Sequence, residues 1–174
     1  MTQSTTEAAT AGTTPQVQSI TPVLTFKERT EEAIGLYVTL FPNSRIVKMV
    51  RSEGGLIPAG QVMSATFELD GRPYNAFDGG STFSFSEGFS MMVTCGTQEE
   101  IDRLWDRLTA DGGEPGRCGW LKDRFGLSWQ IIPADLGEML GNPAGGNTQK
   151  AGEAMLKMDK LDIATLREAY ASAS

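Results

Sequence analysis

The sequence predicts an α+β fold made of two βαβββ modules that form a mixed sheet, followed by a C-terminal helix. Two observations carry this. Segments with the two-residue alternation of strands surround one amphipathic helix in the same order twice. The two helices also align at one constant offset, Glu31, Glu32, Leu36 and Tyr37 against Glu99, Glu100, Leu104 and Trp105. At 174 residues the chain is long enough for one substantial core.

Residues 1–18 are rich in Thr, Ser, Ala and Gln and offer almost no bulky apolar side chain to offset the entropy of ordering, so a disordered tail is expected there. The first module is expected over about 19–80. Ile20, Val23, Leu24 and Phe26 supply its opening strand. Thr30 is placed as the N-cap of a helix with Glu31 and Glu32 in its first turn, an apolar face of Ala33, Ile34, Leu36, Tyr37, Leu40 and Phe41, and a stop at Pro42-Asn43. Three strands follow, Arg45 to Arg51, Val62 to Leu69 and Arg72 to Phe77, with a turn at Asp70-Gly71 between the last two.

The second module is expected over about 88–134. It opens with a strand at Phe89 to Thr94, then a helix that begins acidic at Thr97, Glu99 and Glu100 and buries Ile101, Leu104, Trp105 and Leu108. The stretch Gly112 to Gly116 lacks the lysine and following helix of a phosphate loop and reads as a hairpin connection. The closing strand, Leu127 to Pro133, alternates Leu127, Trp129 and Ile131 against Ser128, Gln130 and Ile132, which places it near the centre of its sheet. The two modules together form one domain over 19–134, with 135–174 as a helical extension: a turn at Leu136 to Leu140, a joint at Gly141 to Asn147, and one helix from Thr148 to Ala171. Its stripe of Met155, Met158, Leu161, Ile163, Leu166 and Tyr170 packs on the body or on a second subunit.

Composition narrows the function. A formal net charge of −7 without clustered Lys and Arg argues against nucleic acid. No apolar run approaches the roughly 20 residues that span a bilayer, and no leader pattern precedes the domain, so the expected location is the cytoplasm. With no histidine, the chain lacks the Ser-His-Asp triad and every histidine-containing metal site. Two cysteines, Cys95 and Cys118, make neither a disulfide framework nor a zinc pair.

Candidate binding residues follow from these patterns. Gln130 turns to the face opposite Trp129 and Ile131 and carries an amide that both donates and accepts, for a ligand or for a cross-strand bond inside the barrel. Trp120 and Trp129 offer flat surfaces for an aromatic ligand, against the alternative that they are core. Phe83, Phe85 and Phe89 wall a cavity or pack a linker over the body. Cys118, beside Arg117 and between Gly116 and Gly119, offers a thiol without a histidine base. Lys122 and Asp123 are read as solvated turn residues, and Glu68 and Asp78 as surface or sheet-edge carboxylates.

Several segments then resemble one family. They are Thr21-Pro22-Val23-Leu24-Thr25-Phe26, the helix end Tyr37 to Ser44, Phe67-Glu68-Leu69-Asp70-Gly71, the long run Cys118 to Ile131, and Ala154 to Met158 with Lys160 to Ile163. Over residues 19–171 the chain resembles PhnB-like, demethylubiquinone methyltransferase-like proteins of the vicinal oxygen chelate superfamily, which has the glyoxalase and bleomycin-resistance fold. The resemblance implies that each module curls into half of a cup, that metal-using relatives draw ligands from the opening and closing strands, and that the protein is a homodimer. Here Thr21 and Phe89 fall at the opening positions, Gln130 at the second closing strand, and Tyr74 to Asp78, Asn75 among them, at the first. An amide and a phenyl ring are poor ligands for a divalent ion, so no metal and no cofactor are expected. Methyl transfer finds no support, because Phe26 to Glu31 contains no glycine for a nucleotide-type turn. The expected function is metal-free binding of a small hydrophobic or aromatic molecule by Gln130, Trp120, Trp129, Cys118, Asn75 and Phe89. The alternative is an enzyme acting on a quinone-like or other small aromatic substrate.

Overall fold

In the computed structural model, which describes residues 19–172, each module lays its last strand parallel to its first. The expected tail lies outside the described residues. Module one runs β1 (Val23–Phe26), α1 (Thr30–Leu40), β2 (Arg45–Arg51), β3 (Val62–Leu69) and β4 (Arg72–Asp78). Module two runs β5 (Ser90–Cys95), α2 (Gln98–Thr109), β6 (Glu114–Pro115), β7 (Trp120–Lys122) and β8 (Ser128–Pro133). Each makes its own four-stranded sheet, ordered β1-β4-β3-β2 and β5-β8-β7-β6, so β8 is interior as its alternation predicts. The β3–β4 hairpin turns through Asp70 and Gly71 at φ 49° and 72°, the pair of positive angles that a two-residue turn of the strands' own twist demands.

The helices begin in different ways. α2 has a full capping box: Thr97 Oγ1 accepts the Glu100 N–H at 3.2 Å, and Glu100 Oε2 accepts the N–H groups of Thr97 at 3.3 Å and Gly96 at 2.8 Å. Thr30 is not the cap of α1. It is the first helical residue, preceded by Arg29 in a left-handed conformation with no side-chain cap, and the acceptor comes from the far end of the module. Asp78, on β4, takes the Thr30 N–H at 3.0 Å and the Val62 N–H at 2.9 Å. A residue read as a surface carboxylate therefore ties α1, β3 and β4 together, because the closing strand ends beside the helix start.

The helix-bearing sides of the two sheets share one core, which includes Leu24, Phe26, Tyr37, Phe67, Leu104 and Trp129. At its centre Asp123 is 3% exposed, not a solvated turn residue. Its carboxylate accepts four hydrogen bonds: Tyr37 Oη–H at 2.6 Å and Trp129 Nε1–H at 2.8 Å on one oxygen, and the N–H groups of Phe125 at 2.9 Å and Leu127 at 3.1 Å on the other. Tyr37 belongs to module one and Trp129 to module two, so one buried group clasps both. Burial pushes the Asp123 carboxyl above the ordinary range, while the four donors hold it down.

The C-terminal segment forms α3 (Leu136–Gly141), α4 (Thr148–Met155) and α5 (Ile163–Ala171). The single helix expected from Thr148 to Ala171 is broken over residues 156–162 because carbonyls there bond elsewhere. Met158 and Asp159 accept the N–H groups of Cys118 at 2.8 Å and Gly119 at 2.7 Å, and Leu161 accepts Gln98 Nε2–H at 3.1 Å. Asp162 then caps α5 through the Thr165 N–H at 2.7 Å. Gly119 permits this approach: its φ is 83°, and a Cβ there would stand 2.7 Å from the Ile131 carbonyl oxygen. Leu136, Met139, Ala151, Leu161 and Leu166 make a small second core.

Replacing Asp123 by Asn turns an NH2 toward groups that themselves donate. Asp123→Asn is expected to lower the unfolding free energy by about 3 kcal/mol in a urea titration. Tyr37→Phe, which removes one donor of four, costs about 1 kcal/mol. A loss below about 1 kcal/mol for Asp123→Asn contradicts the clasp.

Candidate functional site

The expected binding residues occupy five environments. On the helix-free face of the second sheet Gln130 is flanked by Met92 and Trp120 in register, and its Nε2–H donates to Ser90 Oγ at 2.8 Å. On the helix-free face of the first, Asn75 lies between Val23 and Thr66, and its Oδ1 accepts the Thr66 hydroxyl at 3.0 Å. Each amide is thus bonded within its own sheet. Phe89 borders a shallow groove of about 280 Å³ along β1, together with Phe83 and Phe85. Cys118 is set under α4, its Sγ 3.5 Å from the Met155 carbonyl oxygen.

Trp129 alone of the six reaches a cleft of about 530 Å³ between the modules. The β3–β4 hairpin contributes Leu69, Arg72 and Tyr74, the chain after α1 contributes Phe41, β5 contributes Met91, and α2 contributes Arg103 and Leu104. The wall is assembled by aromatic contacts. Phe41 stacks on Trp129 at 5.6 Å and 22°, Tyr37 meets the same indole edge-on at 5.1 Å, and Tyr74 stacks on Phe67 at 5.5 Å. Since Trp129 Nε1–H is held by Asp123, the clasp in the core also fixes the plane of the cleft's main wall.

The charged groups of the cleft differ in how far they are already engaged. Glu100 is committed to the start of α2, and Arg103 gives one N–H to the Leu40 carbonyl oxygen at 3.1 Å. Asp70 sits at the hairpin corner and Arg72 just beyond it. Cys95 is 2% exposed, and burial, with help from the charge of Glu100, pushes its thiol up to about 11.

Neither region suits a divalent metal. Among the described residues no three His, Cys, Asp or Glu side chains converge. On the helix-free faces the strands offer amides and hydroxyls already bonded to one another, and both oxygens of Asp78 are occupied by backbone N–H groups. Sequence reasoning did not single out Phe41, Arg72 or Arg103 as site residues, and it placed Tyr74 only within the stretch at the first closing strand. Phe41 and the Asp70-Gly71 turn were visible as the ends of elements, but no local pattern reveals that the hairpin tip and the end of α1 meet α2 and β5.

A family model described as 3-demethylubiquinone-9 3-methyltransferase matches residues 18–132. The chain is 37% identical to a solved Bacillus cereus structure described as PhnB protein, covering 67% of this chain and all of that one with a TM-score of 0.63. A Pseudomonas aeruginosa protein, 21% identical over 67% of this chain and 98% of its own, shares the fold with a TM-score of 0.55. No curated protein matches the chain. The duplicated βαβββ topology and these matches lead to one conclusion: the chain belongs to the PhnB-like, 3-demethylubiquinone-9 3-methyltransferase-like family, with the glyoxalase and bleomycin-resistance fold.

Proposed function

We propose that this protein binds a small hydrophobic or aromatic molecule in the cleft between its modules, without a metal. The cleft of about 530 Å³ carries the proposal: its aromatic wall of Phe41, Tyr74 and Trp129 is of the size and character that encloses small ligands. Aromatic rings, Met91 and guanidinium groups make up much of its lining, and its two carboxylates, Asp70 and Glu100, belong to no cluster of three metal-ligating side chains among the described residues. The family's name adds no chemistry here. The connection from β1 to α1 is Lys27-Glu28-Arg29, without the glycines that let a strand-to-helix turn approach a nucleotide cofactor. Catalysis by Cys95 is disfavoured, since a thiol pushed up to about 11 stays protonated at neutral pH.

A second copy is part of the same proposal. The faces turned away from the core leave large apolar side chains uncovered, Val23 at 51% and Met92 at 62% exposed, with Trp120 beside Met92's partner Gln130. Such surface on two sheets of one chain fits a homodimer formed by those faces. The two unpaired cysteines fit a reducing cytoplasm.

The test is calorimetric titration with 2-naphthalenemethanol, an uncharged aromatic probe. Saturable binding is expected, weakened roughly fivefold by Phe41→Ala and unchanged by EDTA. Binding that Phe41→Ala leaves intact, or that EDTA abolishes and a divalent metal restores, contradicts the reading. In the native protein at pH 8 the Cys95 thiol should resist alkylation by iodoacetamide and react only on unfolding, as read by mass spectrometry. Light scattering should give twice the mass of one chain.

A further inference from the structure

The reading of the cleft as a ligand site leaves its charge unexplained. The sequence contains nine arginines. Six of them, Arg29, Arg45, Arg51, Arg117, Arg124 and Arg167, form ion pairs with carboxylates. The three without a carboxylate partner among the described residues are Arg72, Arg103 and Arg107, and two of these three line the cleft. In a chain of net charge −7, with acids to spare, guanidinium groups left unpaired at an aromatic cavity stand out from the pattern of the rest of the surface.

Their placement is specific. Arg72 and Tyr74 are two residues apart on β4, so their side chains leave the strand on the same face, the cation beside the ring. Arg103 stands on the opposite wall next to Leu104 and uses one N–H on the Leu40 carbonyl oxygen, which leaves the rest of its five donors for another acceptor. The cleft also carries two carboxylates, Asp70 and Glu100, but among the described residues neither forms an ion pair with Arg72 or Arg103. Glu100 Oε2 is held instead by two backbone N–H groups of the α2 cap.

Resting on the reading of the cleft as a ligand site, we propose that its ligand is an amphipathic anion. The apolar or aromatic body lies against Phe41, Tyr74 and Trp129, and a carboxylate or comparable acid group is received by Arg72 and Arg103. A guanidinium pairs with a planar carboxylate through two parallel N–H donors, a geometry that a point charge does not offer.

The test compares three probes of one shape on the full-length protein by calorimetry: 2-naphthoate, 2-naphthalenemethanol and 2-naphthylmethylammonium. Naphthoate is expected to bind about tenfold more tightly than the alcohol, and the ammonium most weakly. Arg72→Gln and Arg103→Gln should each remove most of the naphthoate preference, costing naphthoate several times more affinity than they cost the alcohol. Arg107→Gln, which alters the unpaired arginine outside the cleft, should change nothing, and it controls for net charge. If the alcohol binds as tightly as naphthoate, or if Arg107→Gln weakens naphthoate as much as Arg72→Gln does, the anion inference fails while the cleft reading stands. If no naphthalene probe binds saturably, both fail.

Discussion

The structure depends on one buried carboxylate. Asp123 joins a helix of the first module to a strand of the second through Tyr37 and Trp129, and its other oxygen closes its own turn through Phe125 and Leu127. A charge this deep is costly unless every lone pair is used, and here four donors use them. The turn that carries it is pinned from outside as well. The guanidinium groups of Arg29 and Arg124 each lie 5.0 Å from the Phe125 ring centre, and Arg124 bonds Glu32 of α1 at 3.1 Å. Core and surface contacts therefore set the same relation between modules.

That relation makes the cleft. Two βαβββ units whose helix-bearing sides share a core leave a gap where the β3–β4 hairpin of one approaches the first strand and helix of the other. Trp129 has two faces of consequence: its N–H is a structural donor to Asp123, while its ring is stacked by Phe41 at the cavity wall. Core anchorage and cavity wall meet in one side chain. The helix-free faces are a different kind of surface. Gln130, Asn75 and their hydroxyl partners satisfy each other there, and the exposed apolar side chains around them suit a protein partner better than a metal ion.

Most of the architecture was legible in the residues because it is written in local periodicity. The alternation through Trp129 and Ile131, the acidic first turns of both helices and the Asp70-Gly71 corner each encode an element within a few positions. What was not legible depends on contacts far apart in the chain. Asp123 looks like a turn residue beside Lys122, and only the arrival of Tyr37, 86 positions away, makes it the centre of the core. Thr30 has the chemistry of a cap, yet Asp78, 48 positions on, supplies the acceptor instead. The C-terminal stripe has helical spacing throughout, but the carbonyls of Met158 and Asp159 bond to Cys118 and Gly119 and interrupt it. The same holds for the cleft. Trp129 was visible through strand alternation, whereas Arg72 and Arg103 come to line one cavity only when the modules pack.

Where a small aromatic molecule binds is reported directly by the three indole N–H signals of Trp105, Trp120 and Trp129 in a proton–nitrogen correlation spectrum. Titration with an aromatic ligand should move the Trp129 signal progressively and leave that of Trp120, on the helix-free face, in place. Movement of Trp120 with Trp129 unchanged would put the ligand on the outer sheet face and contradict the account.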